Sequence, residues 1–243
     1  MIILNADDLG RSRSETDAAL SCHACGRITA ATAMVFMVDS ERAAEAARRT
    51  GLDVGLHLNL DEPFTAPGVH TALRQQHESI ARLLRSNKYS VLVYHPFLRQ
   101  KFRSLYVAQV NEFMRLYGKP PSHVDGHHHL HLCANMLIDG VIPTGNQVRR
   151  SFTFYRGEKG WLNRAYRTML DKALQRRYRL TDAFFSLRQC LEGTKLERIV
   201  EVSRTAKVEL MTHPQDAVDH DFLMGKRFDE VFSGVELGDF SQP

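Results

Sequence analysis

Short apolar runs alternate with longer stretches of helical periodicity along this chain, a rhythm that predicts a parallel α/β fold. Residues 2–6 read as a strand that begins at once. Ser14 then offers an N-cap, and residues 15–25 carry a helical pattern closed by Gly26. Residues 28–38 predict a second strand. Asp39 or Ser40 caps a helix running to Thr50, Gly51 ends it, and residues 52–60 predict a third strand. The stretch 61–71, with Pro63, Pro67 and Gly68, reads as a loop over one end of the domain.

Helical patterns follow at 77–85 and 97–117, the latter stopped by Gly118-Lys119-Pro120-Pro121. Residues 122–132 predict a strand rich in histidine. Residues 161–179 predict a helix, and 197–205 another that feeds a strand at 207–211. Units of this length predict an irregular (β/α) barrel, with residues 1–243 as one domain, since no repeat or linker interrupts them. In such barrels the reactive groups sit where strands end.

The unusual polar residues fall at those ends. The first predicted strand closes on Asn5-Ala6-Asp7-Asp8-Leu9-Gly10. Two adjacent carboxylates after an apolar strand are costly to bury unless they are paired with cations or a metal. The alternative is a turn or capping aspartate before Gly10. The third strand ends in Gly55-Leu56-His57-Leu58, where a single histidine among leucines is by itself more often a satisfied core residue than a ligand.

The segment His123-Val124-Asp125-Gly126-His127-His128-His129-Leu130-His131 is a stronger signal. Read as a strand, its period of two puts His123, Asp125, His127, His129 and His131 on one face. So many imidazoles have no packing rationale, and imidazole is the commonest protein metal ligand. Asp125, two residues before His127, is placed to fix that ring's tautomer. A surface histidine cluster is the competing reading. Near the end, Met211-Thr212-His213-Pro214 again sets a histidine at a strand terminus, and Pro214 turns the chain out of regular structure. These motifs lie too far apart for a local metal finger, so only a fold that gathers strand ends can unite them. One carboxylate with two histidines leaves coordination positions open, as in catalytic rather than structural metal sites.

Composition adds exclusions. The chain has 243 residues, 43% hydrophobic and 25% charged, and a formal net charge of +4. That charge is too mild to argue for a nucleic-acid partner. The N-terminus lacks a basic leader, and the longest apolar run is too short to cross a bilayer, so a cytoplasmic protein without a transmembrane segment is expected. Cys22, Cys25, Cys133 and Cys190 form no disulfide framework. Cys22 and Cys25 match C-x-x-C, but just before Gly26 they read as helix cysteines rather than a redox or metal pair.

In order and spacing, Asn5-Ala6-Asp7-Asp8-x-Gly10, Gly55-x-His57, the His123–His131 segment and Met211-x-His213-Pro214 resemble the YdjC-like carbohydrate deacetylases. That family includes chitooligosaccharide deacetylases and relatives encoded with hopanoid biosynthesis. The resemblance spans residues 1 to about 214. It implies a barrel related to polysaccharide deacetylases and a divalent cation held by Asp8, His57 and His127. It also implies Asp7 as general base, His213 as general acid or electrophilic partner, and Asp125 with His129 behind the ligands. The family is often assigned Mg2+, whereas an Asp-His-His set is chemically closer to Zn2+. An N-acetylated carbohydrate or glycolipid is the implied substrate, and the oligomeric state, homodimer included, is open.

The segment 146–188 matches no part of the family pattern. Its stretch 149–179 is basic, with Arg149, Arg150, Arg156, Lys159, Arg164, Arg167, Lys172, Arg176, Arg177 and Arg179 against Glu158 and Asp171. It reads as a solvated helix face or as a patch for an anionic or lipid-linked glycan. Trp161, Tyr155 and Tyr166 offer rings for sugar stacking or for packing. Competing functions are metal-dependent phosphoester or amide hydrolysis on the same barrel, and glycan binding without catalysis. Those hydrolases usually open on H-x-H where this chain has Asp7-Asp8, and binding alone needs neither a base nor an acid.

Overall fold

The computed structural model describes residues 1–155 and 157–241, so Arg156 of the basic segment lies outside the described residues. Six parallel strands form one sheet: β1 (Ile2–Leu9), β2 (Ala30–Ala33), β3 (Asp53–Leu58), β4 (Val124–Gly126), β5 (Ala183–Ser186) and β6 (Val208–Thr212). Their spatial order is β4-β3-β2-β1-β6-β5. Both edges bind the same stretch of chain. Val124 on β4 donates its N–H to Gln147 at 2.9 Å, and Thr153 donates to Phe184 on β5 at 2.9 Å. Residues 147–153 therefore span the gap between the edges, and the curled sheet is the irregular (β/α) barrel that the alternating pattern predicts.

The helices are α1 (Arg13–Ala24), α2 (Ser40–Thr50), α3 (Thr71–Leu84), α4 (Arg99–Tyr117), α5 (Ala134–Ile138), α6 (Trp161–Gln175), α7 (Leu187–Cys190), α8 (Lys195–Ser203), α9 (Ala217–Met224) and α10 (Lys226–Phe232). Those flanking the sheet bury alanine and leucine faces. On α2 the stripe is Ala43, Ala44 and Ala47, and Gly51 ends the helix in the left-handed conformation. Strands β1 and β2 supply Ile2, Leu4, Ala31 and Ala33 to the apolar core.

Several expected boundaries change: β1 runs on to Leu9, and the helix expected at 77–85 begins already at Thr71. β2 is only four residues long, because Phe36 turns to φ +62° soon after it. The helix at 161–179 stops at Gln175. The histidine segment is a strand only to Gly126; His127–Leu132 coils into 3-10 turns with His128 and His129 left-handed, at φ +51° and +58°. The five-residue face expected of a continuous strand therefore does not exist beyond Asp125. β5, α5, α7, α9 and α10 were not expected from the sequence.

Candidate metal and acid–base site

The interior of the barrel holds polar groups where such barrels usually hold aliphatics. Asn5, Asp7, Thr32, His57, Asp125, Arg149 and Glu209 are all buried. Glycine makes room among them: a Cβ on Gly55 would lie 2.6 Å from the His123 ring. Charges at this depth require partners, and Arg149 is the hub. Its guanidinium donates to both oxygens of Asp7 at 2.7 Å and to Glu209 at 2.6 Å, and it pairs with Asp125 at 2.7 Å. Burial pushes Asp7 up, but the charge and hydrogen bonds of Arg149, with the His57 charge, together hold this carboxyl below its ordinary value. Burial also pushes Glu209 up, here only partly opposed by Arg149, to about 7.

At the mouth of this network the ends of β1 and β3 and the turn after β4 bring Asp8, His57 and His127 together. One donor atom from each lies within 4.8 Å of the others. Asp8 sits at φ +67°, a strained conformation for a non-glycine residue that aims its carboxylate into the cluster. Its Oδ1 is 3.3 Å from His57 Nε2 and 3.1 Å from His127 Nδ1. The far nitrogen of each ring is already engaged. His57 Nδ1–H donates to Asp125 at 2.7 Å, and His127 Nε2 faces Glu62 at 3.0 Å.

Were both rings neutral with those far nitrogens protonated, each would turn a lone pair toward the Asp8 carboxylate. Three electron-rich atoms would then converge, which is stable only with a proton or a cation among them. Burial would lower the basicity of His57, but the charges of Asp125 and Asp7 raise it well above its ordinary value. Burial pushes Asp8 up, while hydrogen bonds from His127 and His57 hold it well below the usual carboxylate range. One carboxylate and two oriented imidazoles fit a divalent cation.

Asp7, Asp8, Arg11, Glu15 and His213 line one cleft of about 310 Å³. His213 follows β6, and its backbone N–H donates to Asp219 at 2.8 Å. The expected acid–base pair thus shares this cleft with Asp8 of the expected ligand set.

Two expected supporting roles change. Asp125 orients His57 rather than His127, because the pairing of β3 with β4 sets His57 opposite Asp125. His127 is backed instead by Glu62, which Arg11 anchors at 2.9 Å. His129 turns away from the ligands with the left-handed backbone and meets Phe152 edge-on at 4.6 Å. Arg149, expected with the surface cations, is fully buried. Sequence reasoning passed over Arg149, Glu62, Thr32 and Glu209. Glu209 carried a signal, since a carboxylate inside the apolar strand Val208–Thr212 demands a cation. Glu62 also did, as half of an acidic pair just past the His57 strand. The Cys22–Cys25 pair straddles the end of α1, Cys22 buried and Cys25 exposed. It gathers no metal-ligand group among the described residues.

A family model described as "YdjC-like protein" matches residues 1–232. The carbohydrate deacetylase of Mus musculus is 26% identical over 88% of this chain and 77% of its own length. The chitooligosaccharide deacetylase of Serratia marcescens is 29% identical over 54% of this chain, and the match spans about half (51%) of that relative. A solved structure from Enterococcus faecalis V583, described as a cellobiose-phosphate cleavage protein, superposes with a TM-score of 0.66 at 17% identity. That match covers 99% of this chain and 97% of the other, and it is a likeness of fold.

Proposed function

We propose, from the premise that this chain belongs to the YdjC-like protein family, that it is a metal-dependent hydrolase removing the acetyl group of an N-acetylated amino sugar. The names of its relatives, carbohydrate deacetylase and chitooligosaccharide deacetylase, support the reaction class. The observation that carries the reading is the convergence of Asp8, His57 and His127, with Asp8 lining one cleft together with Asp7 and His213. The single sheet and continuous core support residues 1–243 acting as one catalytic domain.

Asp8, His57 and His127 would hold the cation, and two nitrogens with one oxygen suit Zn2+ better than the oxygen-rich preference of Mg2+. Bound there, a divalent cation supplies Lewis acidity to the acetamide carbonyl and lowers the pKa of water. Asp7 accepts the proton of the attacking water. Arg149 keeps it ionised and fixes both of its oxygens, at the cost of weak basicity, which is why an acidified water is required. Asn5 donates a further hydrogen bond to Asp7 at 2.9 Å. His213 carries the proton that the departing amine takes up. Its ring makes no hydrogen bond to a described residue and opens on the cleft.

The test is acetate release from a panel of N-acetylglucosamine oligomers and N-acetylated glycolipids. A phosphatase assay runs in parallel, and chelator treatment is followed by Zn2+ or Mg2+ restoration. Acetate release that ceases on chelation and returns with metal is expected. Phosphate release without acetate release contradicts the reading.

A further inference from the structure

Helix α6 carries its apolar stripe on the outside. At about 100° per residue, Trp161, Leu162, Ala165, Tyr166, Met169 and Ala173 fall within one arc, and all six are exposed. Trp161 is 74% and Met169 67% accessible. The opposite arc, with Asp171 and Leu174 buried, faces the protein. An ordinary surface helix has the reverse distribution.

A second exposed apolar group, Tyr89, Leu92, Val93 and Phe97, lies just before α4, and Phe97 is 96% accessible. Helix α5 joins the two. His95 exchanges hydrogen bonds with Asn135 at 3.0 Å in both directions, and Tyr94 donates to Asp139 at 2.9 Å. From the other side Arg177 donates to the Leu137 carbonyl at 3.1 Å. Exposed Ile138 stands between them.

The charges framing both groups are of one sign. Residues 79–111 contain no aspartate or glutamate but carry Arg82, Arg85, Lys88, Arg99, Lys101 and Arg103. Between residues 159 and 181 the only acid is Asp171, buried and bonded to Arg150 at 2.7 Å, while Arg164, Lys172 and Arg176 have no carboxylate partner among the described residues. Asp139, between the two groups, is buried beneath Arg99.

We propose that α6 and the 89–97 segment form a docking face for the surface of an anionic phospholipid bilayer. Leucine, methionine and phenylalanine enter the acyl boundary, tryptophan and tyrosine sit at headgroup depth, and the lysines and arginines meet lipid phosphates. A second copy of the chain is a poorer occupant, because it would bring two sets of uncompensated cations together. The proposal is independent of the reaction assigned to the cleft.

Trp161 is the only tryptophan in the chain, so intrinsic fluorescence reports on this face alone. The probes are phosphatidylcholine vesicles with and without phosphatidylglycerol, the latter also in brominated form. With anionic vesicles the expected results are a blue shift, quenching by the brominated lipid and co-sedimentation that weakens at high salt. Leu162→Ser with Met169→Ser abolishes binding, as does Phe97→Ser. Lys172→Glu with Arg176→Glu weakens it roughly tenfold or more. All five positions are exposed, and circular dichroism checks that each variant folds. No spectral change with anionic vesicles overturns the proposal, as does binding that survives either apolar substitution. A blue shift that grows with protein concentration and doubles the mass without lipid assigns the face to a second copy and also overturns it.

Discussion

Arg149 grips both oxygens of Asp7 at 2.7 Å across 142 positions of sequence, joining the segment that spans the sheet edges to the end of β1. Its Nη1 also meets Asp125 and its Nε donates to Glu209, so one guanidinium compensates three buried carboxylates. Removing one partner of such a network leaves charges that water cannot reach.

Arg149→Met is therefore expected to cost about 3–5 kcal/mol of folding stability, read by urea unfolding, together with most of the acetate release. Arg149→Lys keeps the charge but not the fork geometry, and should recover stability better than turnover. A wild-type unfolding midpoint in Arg149→Met would contradict the network.

Asp125→Asn tests how His57 is oriented. An amide can offer its N–H to Nδ1 and so stabilise the wrong tautomer. Affinity for the cation is expected to fall roughly 10–100-fold, measured by competition with a chromophoric chelator. Unchanged affinity would remove Asp125 from the site's support.

Much of this site was legible because catalytic groups of a barrel gather at strand ends. Asp7, Asp8, His57 and His213 all follow short apolar runs, and parallel pairing of β1, β2, β3 and β6 carries them to one rim. The histidine segment was misread past Gly126, because nothing in a period-two pattern encodes the left-handed turns at His128 and His129. Asp125 was matched to the wrong ring for the same reason: its neighbour is decided by strand register, which single-strand periodicity does not contain. Arg149 was hidden in a run of arginines, distinguished only by the three distant carboxylates that bury it.

His77 gives a pH dependence outside the ligand cluster. It lies against the Phe64 ring at 4.3 Å, and burial lowers its pKa to about 4 from an ordinary 6.5. Between those values the unfolded chain takes up a proton that the folded chain refuses. Stability is thus complete above pH 6.5 and lost as pH falls toward 4, by about 3 kcal/mol for this one group. His77→Leu should flatten that acid limb in urea titrations at successive pH. An identical limb would show that His77 does not titrate this way.

The cysteines should separate by exposure. Burial pushes the thiols of Cys22 and Cys133 up to about 11 and that of Cys190 to about 12. Cys25 is the exposed one. One thiol in four is expected to react rapidly with an aromatic disulfide reagent in the folded protein, and Cys25→Ser should abolish that phase. A fast second equivalent from Cys22 would reopen a redox role for the pair.

The central claim is that Asp8, His57 and His127 grip one cation on which deacetylation depends. The most direct measurement is metal content per chain, by elemental analysis of purified protein, alongside acetate release for wild type, Asp8→Ala, His57→Ala and His127→Ala. The account predicts one equivalent of divalent metal in the wild type, with metal and activity lost together in each variant that remains folded. Full metal content or undiminished acetate release in any of the three would contradict it.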